Sequence, residues 1–278
     1  MQAPNLNIQI SNKLQKLVPN YQNSYAKVLR LKTYENWDLF VIWYLFFGFW
    51  VNSLTSCNFN TMANFTHIIF DLDGTLTDNT QGIKNSLKYA LDKMQVDGYS
   101  DNIMDKFIGP PLQWGFGNLF GMNERNTKLA VEYFREYYGE NGWHQNEPYE
   151  GILEMMAELD SMGKRMYVAT AKLEKYALKI IEHFEMDKYI IQLKGADYGG
   201  KKATKSTIIS DLMQMQQLAP SEEIVMIGDT VFDMEGGKEN GLSTVAVNYG
   251  FGKENELRNT NPDYFAEDVE ELFEILMA

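Results

Sequence analysis

The sequence predicts an α/β fold, a doubly wound and mainly parallel sheet with a small all-helical insertion after its first strand. Short apolar runs such as Ile68-Ile69-Phe70 end abruptly in polar residues, which is typical of buried parallel strands. Stretches with helical periodicity separate these runs, and region 80–148 shows helical periodicity without strand-like alternation. Because open α/β sheets bind ligands beyond the carboxyl ends of their strands, the residues that follow each run are the candidate functional residues.

Composition limits the kinds of partner. The 278 residues carry a formal net charge of −13, which argues against binding to nucleic acid, since that affinity rests largely on Lys and Arg. Cys57 is the only cysteine, so no intrachain disulfide can form and nothing requires an oxidising compartment. We therefore expect a cytoplasmic protein whose partner is a small molecule.

Residues 1–61 differ from the remainder and are predicted to lie outside the fold, with Met62 as an alternative start just before the first strand. The apolar run at 39–51 is shorter than the roughly 20 residues of a membrane span, but it has the length of a signal-peptide core. Leu54-Thr55-Ser56-Cys57 follows it and resembles a bacterial lipoprotein cleavage box. A membrane or lipid anchor through residues 39–57 is therefore the alternative to a cytoplasmic location.

The first predicted strand ends in Asp71-Leu72-Asp73-Gly74-Thr75-Leu76-Thr77. Two carboxylates this close repel each other, and each resists ionisation unless a cation lies between them. A divalent cation with oxygen ligands resolves this conflict. The alternative is an Asp-Gly turn that only ends a strand, but the complete string is far more specific than that dipeptide.

The predicted helices of region 80–148 contain apolar residues at helical spacing, such as Ile83 and Leu87, and a helix cap at Asn123. Gly109-Pro110-Pro111-Leu112 is either a turn between helices or a loop that contacts substrate. We interpret four aromatic residues as core or interface residues rather than substrate contacts: Tyr133, Tyr137, Tyr138 and Trp143.

Two later strands also end in polar residues. The run from Arg165 is followed by Thr170-Ala171-Lys172, and the Thr170 hydroxyl can donate a hydrogen bond to a ligand at the strand end. The run from Glu223 is followed by Gly228-Asp229, with Asp233 four residues further on. As the loop turns into a helix, that spacing brings both carboxylates to one side of the strand end.

The strings Asp71-Leu72-Asp73-Gly74-Thr75 and Gly228-Asp229-Thr230-x-x-Asp233 resemble the first and last motifs of the haloacid dehalogenase superfamily of phosphohydrolases. The resemblance implies a Rossmann-like core, residues 62–79 and 149–278, and a helical cap, residues 80–148. The position of the insertion and Gly109-Pro110-Pro111-Leu112 look most like the phosphoglycolate-phosphatase-like branch, a layout that bacterial 5′-nucleotidases and pyrophosphatases share.

The same resemblance implies the roles of six residues. Asp71 attacks phosphorus as the nucleophile, and Asp73 protonates the leaving oxygen and then activates water. Asp71, the backbone carbonyl of Asp73, and Asp229 bind Mg²⁺, while Asp233 orients this shell.

Phosphate binding is implied for Thr170, the hydroxyl of the second family motif, and for a lysine near the start of the next helix. Lys205 fits the family register best, and Lys201 and Lys202 are the competing choices. Lys172 has no assigned role.

The resemblance therefore implies a Mg²⁺-dependent phosphatase that hydrolyses a small phosphorylated metabolite through an aspartyl-phosphate, with phosphoglycolate or nucleoside 5′-monophosphates as candidate substrates. The second aspartate, Asp73, is typical of phosphatases and mutases in this superfamily, whereas its ATPases carry Thr there. Two alternatives stay open at this point, a sugar phosphomutase of the same superfamily and a membrane-tethered binding protein.

Overall fold

The computed structural model describes residues 65–197 and 204–277. The predictions for residues 1–61, for the anchor at 39–57, and for Lys201 and Lys202 therefore lie outside the described residues. Within the described ranges, no helix combines the length and the apolar character that crossing a membrane requires.

Eight short strands are present in the described ranges. They are β1 (His67–Phe70), β2 (Thr77–Asp78), β3 (Glu147–Pro148), β4 (Arg165–Leu173), β5 (Ile190–Ala196), β6 (Ile224–Gly228), β7 (Ser243–Val247) and β8 (Tyr264–Ala266). Six of them form one sheet in the order β5-β4-β1-β6-β7-β8, and every neighbouring pair in it is parallel. This topology confirms the predicted parallel α/β sheet.

The α-helices of the described ranges alternate with these strands. They are α1 (Thr80–Lys93), α2 (Asp101–Asp105), α3 (Leu112–Trp114), α4 (Glu124–Glu140), α5 (Ile152–Ser161), α6 (Glu174–His183), α7 (Lys205–Met215), α8 (Val231–Glu239), α9 (Glu254–Asn259) and α10 (Val269–Met277).

Both faces of the sheet are covered by helices, as a doubly wound fold requires. Ile68 and Phe70 point to one face and pack in a core with residues of α5, α6 and α10. Ile69 points to the opposite face and packs with Tyr167 and residues of α7. The alternation along β1 buries both sets because successive strand side chains point to opposite faces.

Helices α1 to α4 lie between β1 and β4 in the chain and share a separate apolar cluster that includes Leu87, Phe107, Phe116 and Phe134. As predicted, no strand lies between the start of α1 and the end of α4, a segment that the structure describes in full. At its two ends, however, β2 and β3 pair as antiparallel strands, with Thr77 opposite Pro148. Each strand has two residues, too few to produce a visible alternation in the sequence.

Two elements have irregular continuations. Helix α3 ends at Trp114 and continues as a π-helix over Gly115–Leu119. A Cβ on Gly115 would lie 2.4 Å from the Phe107 ring, so a glycine is needed for this close packing. Strand β4 continues past Thr170 to Leu173, with an irregular register against β5 after Ala169.

Candidate active site

The predicted functional residues meet at the carboxyl ends of the three central strands. Strand β1 lies between β4 and β6, so Asp71, Thr170 and Asp229 come from neighbouring strand ends. The Asp71 amide donates to the carbonyl of Ile227 at 2.9 Å, which continues the β1–β6 pairing to the first residue of the site. The crevice of an open α/β sheet is found at this edge.

Three carboxylates form a buried cluster. One oxygen from each of Asp71, Asp229 and Asp233 lies within 4.8 Å of the others, and Asp229 and Asp233 are fully buried. Burial raises the pKa of Asp229 to about 8, and the neighbouring charges of Asp233 and Asp71 add to the effect. Burial likewise raises the pKa of Asp233. A divalent cation with oxygen ligands would relieve this repulsion, so the cluster fits a metal ion.

Lys205 is the cation already present beside this cluster. Its Nζ lies 2.8 Å from Asp71 Oδ1 and 2.8 Å from Asp233 Oδ1, and it donates to the Ala169 carbonyl at 3.1 Å. Burial alone would lower the pKa of this lysine, but Asp233 and Asp71 outweigh burial and hold the pKa above its ordinary value. Lys205 is therefore a fixed positive charge at the start of α7.

Asp73 takes a different partner. Lys172 donates to Asp73 Oδ2 at 2.5 Å, and Asp73 is not part of the three-carboxylate cluster. Burial raises the pKa of Asp73 above its ordinary value, although Lys172 opposes that rise. A raised pKa favours the protonated carboxyl, which is the form that a general acid needs.

Contacts from two loops, one after β1 and one after β7, hold Asp229 in place. The Thr75 hydroxyl donates to its Oδ1 at 3.4 Å, and the Phe251 amide donates to its Oδ2 at 2.7 Å. Gly74 has a φ of +85°, and a Cβ there would lie 2.2 Å from Asp229 Oδ2. A glycine at position 74 is therefore required both by the backbone conformation and by the packing against this carboxylate.

Asp233 is oriented by the start of its own helix. The amide and the hydroxyl of Thr230 both donate to Asp233 Oδ2, at 3.0 Å and 2.6 Å. The backbone amide of Asp233 in turn donates to the Thr230 side chain, and these reciprocal hydrogen bonds form a capping box. This leaves the other oxygen of Asp233, Oδ1, on the side of Lys205.

Thr170 is buried within β4, three residues before the strand ends at Leu173, with 2% of its surface exposed. Its hydroxyl oxygen accepts a hydrogen bond from the Lys172 amide at 3.3 Å. A hydroxyl that accepts in this way still has its own hydrogen to donate. Thr170 thus belongs to β4, the strand next to β1, and Asp71 directly follows β1.

The structure adds contacts that sequence reasoning missed. The pair between Lys172 and Asp73 joins residues 99 positions apart, and the Phe251 amide comes from a loop that carries no motif. Thr75 and Thr230 belong to the quoted motifs, and the Thr-x-x-Asp spacing of Thr230 and Asp233 is the signal that predicts a capping box.

Comparison with known proteins identifies the family. The sequence model of the haloacid dehalogenase-like hydrolase family matches residues 68–247 of this chain. A 5′-nucleotidase of Pseudomonas aeruginosa is 35% identical over 212 residues, which are 76% of this chain and 96% of that protein. A phosphoglycolate phosphatase of Vibrio parahaemolyticus is 28% identical over 224 residues, 78% of this chain and 98% of that protein.

Two further matches complete the comparison. Tyrosine-protein kinase PtkA of Mycobacterium tuberculosis is 31% identical over 211 residues, 75% of this chain and 72% of that protein. A haloacid dehalogenase-like family hydrolase from Streptococcus pneumoniae superposes with a TM-score of 0.70 at 31% identity, over 77% of this chain and 99% of that structure. The family match and the hydrolase relatives confirm the predicted phosphatase: this chain belongs to the haloacid dehalogenase-like hydrolases and is a phosphatase of that family.

Proposed function

We propose that this phosphatase hydrolyses small phosphomonoesters in a Mg²⁺-dependent reaction, through an aspartyl-phosphate on Asp71. The observation that carries the proposal is the joint placement of Asp71 against Lys205 and within the cluster of Asp71, Asp229 and Asp233. An acidic site alone would repel a phosphate dianion. A lysine and a metal ion beside the nucleophile offset that repulsion.

Two carboxyl groups, those of Asp71 and Asp73, carry out the covalent steps. An oxygen of Asp71 forms a bond to phosphorus while the ester bond from phosphorus to the leaving oxygen breaks, and Asp73 gives its proton to that oxygen. Water then attacks the phosphorus, Asp73 takes the proton from water, and the bond to Asp71 breaks. Phosphate is released, and both carboxyl groups return to their starting states.

The metal would be held by the carboxylates of Asp71 and Asp229 and the backbone carbonyl of Asp73, while Asp233 orients this shell. When bound, Mg²⁺ supplies positive charge that offsets the charge of the phosphoryl group. The raised pKa values of Asp229 and Asp233 support this assignment. They indicate that these buried carboxylates lack enough nearby positive charge, which a metal ion would supply.

Two further groups would bind the phosphoryl oxygens. Lys205 is a fixed cation within 2.8 Å of an oxygen of Asp71, so a phosphoryl group bound to that carboxylate lies within its reach. Thr170 offers a hydroxyl hydrogen from the neighbouring strand. Both groups act on the transferring phosphoryl group, where preorganised donors lower the barrier.

The relatives and the insertion support a choice of candidate substrates. The helices of residues 80–148 leave the core between β1 and β4, and we assign them as the cap over the carboxyl end of β1. The similarity to a 5′-nucleotidase makes nucleoside 5′-monophosphates the first substrates to test, and the similarity to a phosphoglycolate phosphatase makes phosphoglycolate the second.

Phosphate release by the full chain with Mg²⁺ tests the proposal, across nucleoside monophosphates, phosphoglycolate, sugar phosphates and p-nitrophenyl phosphate. Asp71→Asn should abolish turnover, because an amide oxygen is a poor nucleophile. Asp211→Asn, the same change at an exposed position of α7, is the matched control and should retain full activity. Turnover by Asp71→Asn, or full activity in EDTA, would contradict the mechanism. Isomerisation without phosphate release would favour a mutase.

A further inference from the structure

Tyr138 is a buried titratable residue that the proposed mechanism does not use. It lies in the last turn of α4, within the insertion, and 6% of its surface is exposed. Among the described residues its hydroxyl makes no hydrogen bond of ordinary geometry, although buried hydroxyls are normally paired. The hydroxyl does lie close enough to Lys172 for that lysine to oppose the rise in the Tyr138 pKa that burial causes, and the ring of Tyr138 faces the same lysine.

The ring of Tyr138 lies beside the lysine that holds Asp73. Lys172 Nζ is 5.0 Å from the centroid of the Tyr138 ring and 2.5 Å from Asp73 Oδ2. An aromatic face carries negative charge density that attracts a cation within about 6 Å, most strongly where water is excluded. The ammonium of Lys172, whose side chain is 8% exposed, thus lies between a carboxylate and an aromatic face.

A close contact between helices fixes the position of this ring. Tyr138 packs edge-on against Tyr176 of α6, with the ring centroids 5.4 Å apart. A Cβ on Gly139, the next residue of α4, would lie 2.7 Å from the Tyr176 hydroxyl oxygen. The absence of a side chain at position 139 therefore lets the end of α4 approach α6 and brings the Tyr138 ring to Lys172.

We propose that Tyr138 is a positioning residue for the acid step: its ring holds Lys172 against Asp73 and thereby sets the orientation of the Asp73 carboxyl. The proposal rests on the proposed role of Asp73 as general acid. It assigns to the helical insertion a direct part in leaving-group protonation.

The proposal predicts an effect that depends on the leaving group. An alkoxide leaving group needs a proton from Asp73 in the transition state, whereas p-nitrophenolate is stable enough to leave without one. A misplaced Asp73 should therefore slow the hydrolysis of alkyl phosphates, such as glycerol phosphate or a nucleoside monophosphate, much more than that of p-nitrophenyl phosphate. A general loss of folded protein would reduce both activities equally.

Two variants of the full chain separate the ring from the hydroxyl. Tyr138→Leu removes the aromatic face and should lower kcat on the alkyl phosphate by at least about tenfold, with less than about a threefold change on p-nitrophenyl phosphate. Tyr138→Phe keeps the face and should stay within about threefold of the parent on both substrates. Tyr137→Leu, which removes a neighbouring ring that packs on Tyr89 instead, is the matched control and should show no leaving-group dependence.

Two kinetic outcomes would overturn the proposal. Equal losses on both substrates in Tyr138→Leu would show that the residue only supports the fold. An equal loss in Tyr138→Phe and Tyr138→Leu would show that the hydroxyl acts and the ring does not.

A second measurement does not need turnover. Tyr138→Leu, Lys172→Met and the double variant form a double-mutant cycle on the equilibrium constant of unfolding. We expect a coupling of at least about twofold, the low end for a cation at an aromatic face, and additive effects would overturn the contact. If the parent protein released no phosphate at all, the proposed function would fail, while the cycle would still decide whether Tyr138 holds Lys172.

Discussion

Lys205 Nζ lies equally close to two carboxylates, 2.8 Å from Asp71 Oδ1 and 2.8 Å from Asp233 Oδ1. One ammonium group thus joins the proposed nucleophile to a residue of the last motif. In the described ranges, the cluster of Asp71, Asp229 and Asp233 has ion pairs only to Lys205, through Asp71 and Asp233, while Lys172 pairs with Asp73. The arrangement leaves an excess of negative charge that a divalent cation can offset.

Replacing Lys205 by Met should reduce both stability and activity. Removing one partner of a buried ion pair leaves the remaining charges unpaired, which typically costs about 3–5 kcal/mol in the free energy of unfolding. Losing a donor to the phosphoryl group should lower kcat by about 10²–10³-fold. Urea unfolding and phosphate release measure the two effects, with Lys106→Met as the exposed control. Activity within a few fold of the parent would show that Lys205 does not bind the phosphoryl group.

Gly74→Ala should weaken metal binding because of the contact with Asp229. Both Gly74 and Gly98 have positive φ, +85° and +78°, so an alanine at either position costs about 1–2 kcal/mol of stability. Only at Gly74 would the new Cβ collide with Asp229, since nothing lies within 4 Å of a Cβ on Gly98. We expect Mg²⁺ affinity to fall about 10–100-fold in Gly74→Ala and to remain unchanged in Gly98→Ala, as titration calorimetry would show. Equal affinities would contradict the packing argument.

The effect of Mg²⁺ on stability should depend on pH. The pKa of Asp229 is about 8 in the metal-free fold and about 3.9 in an unfolded chain, so between these values the folded state binds the proton more tightly. Metal-free stability therefore decreases as pH rises through this window, whereas Mg²⁺ competes with the proton and binds better at higher pH. Melting temperatures with Mg²⁺ and with EDTA should diverge from pH 6 to pH 9. A divergence that persists unchanged in Asp229→Asn would assign it to another group.

A chain that begins at Met62 should retain the activity and the fold of the full chain. The family match begins at Ile68, and the motif residues all follow it. Phosphate release and thermal unfolding of the shortened and full chains measure this directly. A shortened chain that fails to fold, or that loses activity, would show that residues 1–61 contribute to the domain.

Local patterns were sufficient to predict the residues at the strand ends. Asp71, Asp73, Asp229 and Asp233 each follow an apolar run whose length and abrupt end indicate a buried strand, and the structure places three of them in one cluster. Lys205 fits the family register best and lies 2.8 Å from Asp71, while the competing Lys201 and Lys202 lie outside the described residues. The positions at the strand ends can be predicted because a buried parallel strand leaves a signal within a short stretch of consecutive residues.

The sequence by itself thus determined the parallel fold, the family and the acidic residues at the carboxyl ends of the strands. Only the tertiary structure decided which lysine pairs with which carboxylate, that the Phe251 amide binds Asp229, and that Tyr138 of the insertion lies over Lys172. The partners in these contacts lie from 22 residues apart, for Phe251 and Asp229, to 134 residues apart, for Lys205 and Asp71. Such contacts depend on strand order and on the packing of α4 against α6, for which no local periodicity exists in the sequence.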